Sequence, residues 1–207
     1  MGSLALTRAD VEQTIPARFE TVVRQVPERL ALRGAGRSWT YGELNAEANG
    51  VAHAIRGCTG AGPGRVAFLV DQSPEMVITT LGILKAGKTY VAIHPRMPAA
   101  AQRAILADVE PDLLLTTSAR ERDARAVANS PLLVLDAIGE QPHDDLPRTT
   151  TPRDASTLFY TSGSTGQPKG VVKSHRAVLH RAWLSARYDA VGVDDRQSQL
   201  THCSFSA

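Results

Sequence analysis

Short apolar runs that alternate with helix-like segments limit the folds open to this chain. Residues 66–70 are all apolar, and this run predicts a buried strand. Further runs of the same kind are residues 90–93, 113–115, 132–135 and 157–160. The segments between them have the length that helical crossovers need. We therefore predict an α/β fold of layered sheets with flanking helices.

Capping residues predict where two of the helices begin. Thr40 and Glu43 have the spacing of a capping box, in which each residue binds the other's backbone N–H. Ser73 followed by Pro74 is typical of an N-cap with proline in the first turn. Gly87 is placed to end the second of these helices.

Two further expectations concern the chain after residue 135. Residues 136–153 are rich in proline and acidic side chains, which indicates a surface connection. Ser174 is placed to cap a last helix. The spacing of Val178, Ala182 and Ala186 predicts that these three side chains form its inner face.

Residues 160–170 read Tyr-Thr-Ser-Gly-Ser-Thr-Gly-Gln-Pro-Lys-Gly and suit an anion-binding loop. Glycine lets backbone N–H groups approach an anion, and the serine and threonine hydroxyls can donate from the side. Lys169 adds a compact positive charge. The spacing differs from that of P-loop NTPases, because Gln167 and Pro168 precede the lysine and no Gly-Lys-Ser/Thr triplet follows. A kinase or GTPase is therefore disfavoured.

We expect this loop to be exposed between two strands, with no helix beginning directly after Lys169. Pro168 favours an extended conformation at Gln167, and the three glycines raise the backbone entropy. The loop is therefore also expected to be among the more mobile parts of the chain. The alternative is an ordinary surface turn, since turns use the same residue types.

Composition argues against several classes of function. With 43% hydrophobic residues in 207, the chain can bury a core, and its net charge is only +2. Basic residues are scattered, so no nucleic-acid partner is expected. The apolar runs are too short to cross a bilayer, and no secretion signal is evident. Cys58 and Cys203 lack metal-site spacing, which favours a reduced, cytoplasmic setting. We expect no metal site here, because His175 and His180 would not share a helix face.

The loop at 160–170 resembles the signature of the adenylate-forming (AMP-binding) superfamily, and most of all the adenylation domains of nonribosomal peptide synthetases. Residues 39–45 and 84–91 resemble two further segments of that family, in the same order. The similarity extends from about residue 15 to the end. We therefore divide the chain into a tail, 1–14, and the N-terminal portion of an adenylation domain, 15–207, which belongs to the large subdomain.

The resemblance implies that a carboxylic acid reacts with ATP to give an acyl-adenylate and pyrophosphate. The acyl group then passes to a thiol, either of CoA or of carrier-protein pantetheine. The implied ATP-phosphate ligands are Thr161, Ser162, Ser164, Thr165 and Lys169, with Gly163, Gly166 and Gly170 supplying the backbone conformation. The adenine site, the Mg²⁺ ligands and a catalytic lysine are expected beyond residue 207, so no catalytic residue is assigned here.

The last seven residues resemble the family segment that forms one wall of the acyl pocket. Phe205 would be the pocket aromatic, and Ser206 would stand where enzymes for α-amino acids place an aspartate. The alternative is an ordinary buried strand, aligned one or two residues differently. A second departure is His94, where the family usually has aspartate, and we expect it to be a tolerated surface variant.

Two other functions remain open at this point. The chain could be a non-catalytic phosphate- or nucleotide-binding module, complete in itself or complemented by a second chain. An interaction protein is the third possibility. Under the preferred hypothesis these 207 residues alone are nearly inactive, because most of the active site would lie outside them. The identity of the acid and of the acceptor thiol is left open.

Overall fold

The computed structural model describes residues 4–162, 168–199 and 202–204. Within these ranges the helices are α1 (Ile15–Gln25), α2 (Tyr41–Thr59), α3 (Pro74–Lys85), α4 (Ala99–Val109), α5 (Glu121–Val127) and α6 (His175–Tyr188). The strands are β1 (Leu30–Gly34), β2 (Arg37–Thr40), β3 (Arg65–Leu69), β4 (Thr89–Ala92), β5 (Leu113–Thr116), β6 (Leu132–Val134), β7 (Ala155–Ser162) and β8 (Pro168–Ser174). No helix within the described ranges is both long and apolar enough to cross a membrane.

Six of these strands form one sheet in the order β6-β5-β3-β4-β7-β8, and β1 pairs with β2 in a separate hairpin. The pairs from β6 to β7 are parallel, and β8 alone runs antiparallel to its neighbour. The predicted α/β class is therefore confirmed. Because β3, β4, β5 and β7 are parallel, their carboxyl ends meet at one edge of the sheet, where ligands bind in folds of this kind.

Helices cover both faces of the central strands. On β3, Val66 and Phe68 face a core cluster that α2 and α3 complete, while Ala67 and Leu69 face one completed by α4 and α5. All four side chains are fully buried. Burial on both faces explains why residues 66–70 form a continuous apolar run without polar alternation.

Both predicted helix starts are confirmed. The Oγ1 atom of Thr40 accepts a hydrogen bond from the Glu43 N–H at 3.2 Å, and the Glu43 carboxylate accepts one from the Thr40 N–H at 2.8 Å. Helix α3 begins at Pro74, although the Ser73 side chain makes no capping hydrogen bond. Gly87 follows this helix with a φ of 81°, a conformation that favours glycine.

Helix α6 begins as predicted, but its inner face is different. The Ser174 hydroxyl accepts a hydrogen bond from the Ala177 N–H at 3.2 Å, as expected of an N-cap. The buried side chains are His175 and Leu179, whereas Ala182 is exposed, so that part of the prediction is wrong. The reason is tertiary, because α6 packs against α1 and the 3-10 helix Ala9–Glu12 as well as against β7 and β8.

The connection at 136–153 is mostly exposed, as predicted, but it is also anchored to the core. Leu146 is buried in the cluster that α2 and α3 form. The ammonium group of Lys85 on α3 lies 3.1 Å from the Asp145 carboxylate and 2.5 Å from the Glu20 carboxylate. Arg148 also binds Glu20, at 2.7 Å. We call Glu20, Lys85, Asp145 and Arg148 the Lys85 cluster.

Candidate functional site

The predicted phosphate-binding loop lies at the tip of an antiparallel hairpin. Strand β7 ends at Ser162 and β8 begins at Pro168, so residues 163–167 connect them. Lys169 lies within β8, which confirms that no helix begins directly after it. The proposed ligands Gly163, Ser164, Thr165 and Gly166 fall outside the described residues, and so does the prediction that the loop is mobile. The side chain of Ser162 is likewise not described.

Thr161 and Lys169 form a directly opposed pair at the end of the hairpin. Opposed residues of paired strands project from the same face of a sheet. Both residues are exposed, and the Thr161 hydroxyl donates to the Lys169 carbonyl at 3.5 Å. The hairpin therefore presents one hydroxyl and one ammonium group side by side, next to the loop.

Gly170 is required here for space more than for its backbone conformation. The described glycines with left-handed φ are Gly36, Gly60 and Gly87, so the expected conformational role of Gly170 is not the one observed. A Cβ at Gly170 would lie 3.1 Å from Leu158 Cδ1 and 3.5 Å from the ring of Tyr160. The absent side chain lets these two groups pack across the hairpin.

Tyr160 ties the hairpin to the helix layer, and sequence reasoning did not identify this contact. Its hydroxyl donates to the carboxylate of Asp108 on α4, with 2.5 Å between the oxygens. Burial and the neighbouring carboxylate raise the pKa of Tyr160 above its usual value, so the hydroxyl stays protonated as the donor. The tyrosine that opens the family-like signature therefore has a structural contact of its own.

A second group of polar side chains lies where β3 and β5 end. Asp71 follows β3, and Arg120 follows β5 in a short 3-10 helix. The guanidinium binds both carboxylate oxygens of Asp71, at 2.8 and 2.9 Å. These hydrogen bonds hold the pKa of Asp71 below its usual value and raise that of Arg120. The bidentate pair connects the segments that follow the two neighbouring strands.

His94 and His202 meet at the same edge, with ring centroids 4.8 Å apart in an edge-on arrangement. His94 lies two residues after the end of β4, is partly buried and accepts a hydrogen bond from the Arg96 N–H at 3.0 Å. It therefore lies partly at the surface, and it also has a contact with His202 that the sequence did not predict. Burial lowers the pKa of both imidazoles.

The described part of the chain end, residues 202–204, forms a turn beside this edge and not a strand. His202 is only 3% exposed, and it binds the carbonyl of Val70. The predicted substrate-binding residues Phe205 and Ser206 follow this turn directly in sequence but fall outside the described residues. Their roles therefore stay predictions.

The described residues contain no group of three or more histidine, cysteine, aspartate or glutamate side chains placed to hold a metal ion. Two cavities are lined by the described residues. One, of about 900 Å³, lies between β1 and residues 193–199; the other, of about 410 Å³, lies between α2, α3 and residues 135–143. Neither is lined by Thr161 or Lys169.

Comparison with known families gives a match to the AMP-binding enzyme family over residues 19–207. Tyrocidine synthase 2 of Brevibacillus parabrevis is 36% identical over 203 residues, which cover 97% of this chain and 6% of that protein. Gramicidin S synthase 2 of Aneurinibacillus migulanus is 34% identical over 196 residues, covering 94% of this chain and 4% of its own length. The chain thus spans a small part of these relatives.

Several solved structures share the fold, among them that of a nonribosomal peptide synthetase, FmoA3. FmoA3 bound to α-methyl-L-serine-AMP has a TM-score of 0.84 and 27% identity, covering 93% of this chain and 21% of that one. The N-terminal subdomain of Klebsiella oxytoca NpsA has a TM-score of 0.70 and 24% identity, covering 81% of this chain and 43% of that one. With these matches to its sequence and fold, the chain belongs to the AMP-binding enzyme family and corresponds to the N-terminal portion of a nonribosomal peptide synthetase adenylation domain.

Proposed function

We propose that residues 15–207 form the N-terminal portion of a domain that activates a carboxylic acid with ATP. The observation that carries this proposal is the β7–β8 hairpin, which presents Lys169 and Thr161 at the edge where the parallel strands have their carboxyl ends. Family membership supplies the reaction class, and a related structure of FmoA3 is an AMPPNP-bound form. As a working location we propose the cytoplasm.

In the proposed reaction a carboxylate oxygen attacks the α-phosphorus of ATP. The bond from that phosphorus to the bridging oxygen breaks, and pyrophosphate leaves with the electron pair. The attacking group needs little activation, so the main demand is to align the reactants and stabilise negative charge. Fixed donors contribute about 3 kcal/mol each to such a transition state. We assign this task to Thr161, Ser162, Ser164, Thr165 and Lys169, with Gly163 and Gly166 shaping the loop and Gly170 leaving space for the packing of Leu158 and Tyr160.

The residues present suit the phosphates of ATP better than they suit a metal ion. An exposed ammonium and an adjacent hydroxyl match the charge and the acceptor oxygens of a phosphate chain. The described residues contain no carboxylate cluster of the kind that holds a metal. We therefore propose that Mg²⁺ accompanies ATP but takes its protein ligands from outside the described residues.

The second proposed step transfers the acyl group from the adenylate to a thiol, giving a thioester and AMP. The related FmoA3 is a nonribosomal peptide synthetase, which favours a carrier-protein pantetheine as the acceptor over CoA. For the acid itself we propose a class without a free α-amino group, such as an aryl, fatty, hydroxy or keto acid. Ser206 is neutral, and a buried ammonium left without a countercharge costs several kcal/mol.

Acid-dependent ATP–pyrophosphate exchange tests the proposal in a protein that contains this sequence with the rest of an adenylation domain. Lys169→Ala should lower kcat/KM for ATP about 100-fold, because it removes charge from the transition state without removing buried contacts. Lys173→Ala, on the same strand, is the matched control and should change it less than about threefold. Equal losses in both variants would contradict the assignment of Lys169.

The same assay separates the rival function. Residues 1–207 alone should give no exchange under the proposal, since the adenine and magnesium sites would be missing. A non-catalytic nucleotide-binding module would instead bind ATP in equilibrium dialysis and show no exchange even in the longer protein. Screening paired amino and des-amino acids then tests the substrate class. Preference for the amino acid, unchanged in Ser206→Ala, would reject the role given to Ser206.

A further inference from the structure

The cavity of about 410 Å³ between α2, α3 and residues 135–143 is lined by none of the residues used in the function proposed above. Its volume is within the range of small-molecule binding sites in proteins. Four apolar side chains contribute to its wall, namely Val51 on α2, Ile78 on α3, and Leu135 and Ile138 on the connection. A ligand that fills this space therefore needs a hydrocarbon body.

Thr79 also lines this cavity, and its hydroxyl has no hydrogen-bond partner among the described residues. Its side chain is fully buried. A threonine in a helix can donate to the carbonyl four residues before it, and the next residue, Thr80, does so with Met76 at 2.8 Å. Thr21 and Thr59 do the same at 2.9 Å. The Thr79 hydroxyl makes no such bond, so it is available to a polar group in the cavity that it lines.

The charged side chains around the cavity are acidic. Four carboxylates line it, those of Glu47, Glu75, Asp136 and Glu140, and no described lysine or arginine does. Arg37 binds Glu47 at 2.6 Å and offsets its charge. Glu75 and Glu140 are exposed and form no ion pair with a described residue. The cavity therefore suits a cation, because its negative charges are mostly not compensated within the described residues.

An organic cation fits this cavity better than a metal ion does. The described carboxylates are not grouped to hold a metal ion, and hydrocarbon walls supply no ligand to one. Asp136 stays ionised, because hydrogen bonding from Ser118 holds its pKa below the usual value. Glu75 lies one helical turn before Thr79, so both residues lie on the same face of α3. An ammonium group there can donate to the Thr79 hydroxyl and remain close to a carboxylate.

We propose that this cavity binds a small primary amine with a hydrocarbon body. The ammonium group donates to the Thr79 hydroxyl and pairs with the Glu75 carboxylate. The hydrocarbon body contacts Val51, Ile78 and Ile138. Because the site does not include the hairpin, its test needs no ATP and no turnover, and its outcome is independent of the proposed activity.

Phenethylamine is the probe, and phenethyl alcohol and phenylacetate are its neutral and anionic counterparts of similar size. Binding is followed by NMR titration of the full chain at about pH 8, where an ordinary histidine is neutral. The amine should bind with a Kd of about 0.1 to 1 mM and shift the amide signals of Gly50 and Thr79. The alcohol should bind at least about tenfold more weakly, and phenylacetate should not bind. Equal affinity for amine and alcohol, or no binding of the amine, would overturn the proposal.

Two substitutions locate the ammonium group. Thr79→Val removes the hydroxyl at nearly constant shape, and Glu75→Gln removes the charge. Each should raise the Kd for phenethylamine about threefold to fivefold. Thr80→Val and Glu28→Gln are the matched controls, at a threonine and an exposed glutamate that do not line the cavity, and should change it less than about twofold. Equal changes in a variant and its control would reject the site.

Melting temperatures without ligand test whether the Thr79 hydroxyl is unpartnered. Thr80→Val loses the hydrogen bond to Met76 and should melt at a lower temperature than the wild-type protein. Thr79→Val loses no hydrogen bond within the described residues, so its melting temperature should fall less or not at all. An equal or larger decrease for Thr79→Val would show that its hydroxyl is bonded within the protein, and the proposal would be rejected.

Discussion

The β7–β8 hairpin and the strand β3 belong to the same sheet but differ in how deeply their side chains are buried. Val66, Phe68 and Leu69 are fully buried between helices on both faces. At the hairpin, Thr161 and Lys169 are exposed, and Val172 on β8 is 63% exposed. Thr161 and Lys169, two of the proposed phosphate ligands, thus lie where packing contributes little to stability. The comparison predicts that stability and activity can be changed separately, and three sets of variants test this.

The largest expected effect is on the stability of the core. Phe68→Ala removes a fully buried ring that packs between α2, α3 and the turn at 202–204. The free energy of unfolding should fall by about 4 kcal/mol in urea denaturation. Lys169→Ala should change it by less than about 0.5 kcal/mol. A comparable loss in both variants would remove the distinction between the two regions.

The second prediction concerns His175, which joins the hairpin side of the molecule to α1. His175 is fully buried, and its Nδ1 accepts from the Ile15 N–H at 3.2 Å. Burial lowers its pKa to about 4 from an ordinary value of 6.5. The unfolded state therefore binds the proton more readily, so stability is fully present above pH 6.5 and falls as the pH drops towards 4. The loss should reach about 2 to 3 kcal/mol.

Chemical denaturation at several pH values measures this loss. His175→Asn keeps an acceptor for Ile15 but cannot titrate, so its stability should depend less on pH in this range. His180→Asn, at an exposed position of the same helix, should retain the wild-type profile. If His175→Asn also retained it, other groups would be responsible for the acid sensitivity.

The smallest expected effect is that of Gly170→Ala, in a comparison of two glycines. A Cβ at Gly82 would lie 2.6 Å from Val51 Cγ1 and 3.1 Å from the Ala48 carbonyl oxygen, between α2 and α3. A Cβ at Gly170 would first meet the flexible end of Leu158, at 3.1 Å. Gly82→Ala should therefore cost about 2 to 3 kcal/mol, and Gly170→Ala about 1 kcal/mol or less. The reverse order in thermal or urea unfolding would show that the hairpin is the tighter region.

Local features of the fold could be predicted from the sequence, because their causes lie within a few residues. The capping box of Thr40 and Glu43 and the apolar run at 66–70 are features of this kind. The inner face of α6 could not be predicted in full, because it depends on which elements pack against the helix. The face is set by α1 and a 3-10 helix more than 140 residues earlier in the chain.

The candidate site likewise has features that the sequence predicts and features that it does not. The exposed hairpin around Lys169 followed from glycine, proline and hydroxyl content alone, and the structure confirms the strands on both sides. The contacts of Tyr160 with Asp108 and of His202 with Val70 join residues 52 and 132 positions apart. Residue pattern and spacing along the chain do not predict contacts between residues so far apart. The contact of His94 with His202 was not predicted for the same reason, since the two residues are distant in sequence.

The Lys85 cluster has a consequence for the order in which this molecule assembles. It joins residues of α1, α3 and the connection that precedes β7, and Glu20 and Arg148 are 128 positions apart. Contacts between such distant residues form late, because closing a long loop costs chain entropy before the contact contributes. We therefore expect the connection to dock after these helices have formed. The hairpin should therefore join the sheet last during folding, so that the surface proposed to meet ATP is completed after the core that carries it.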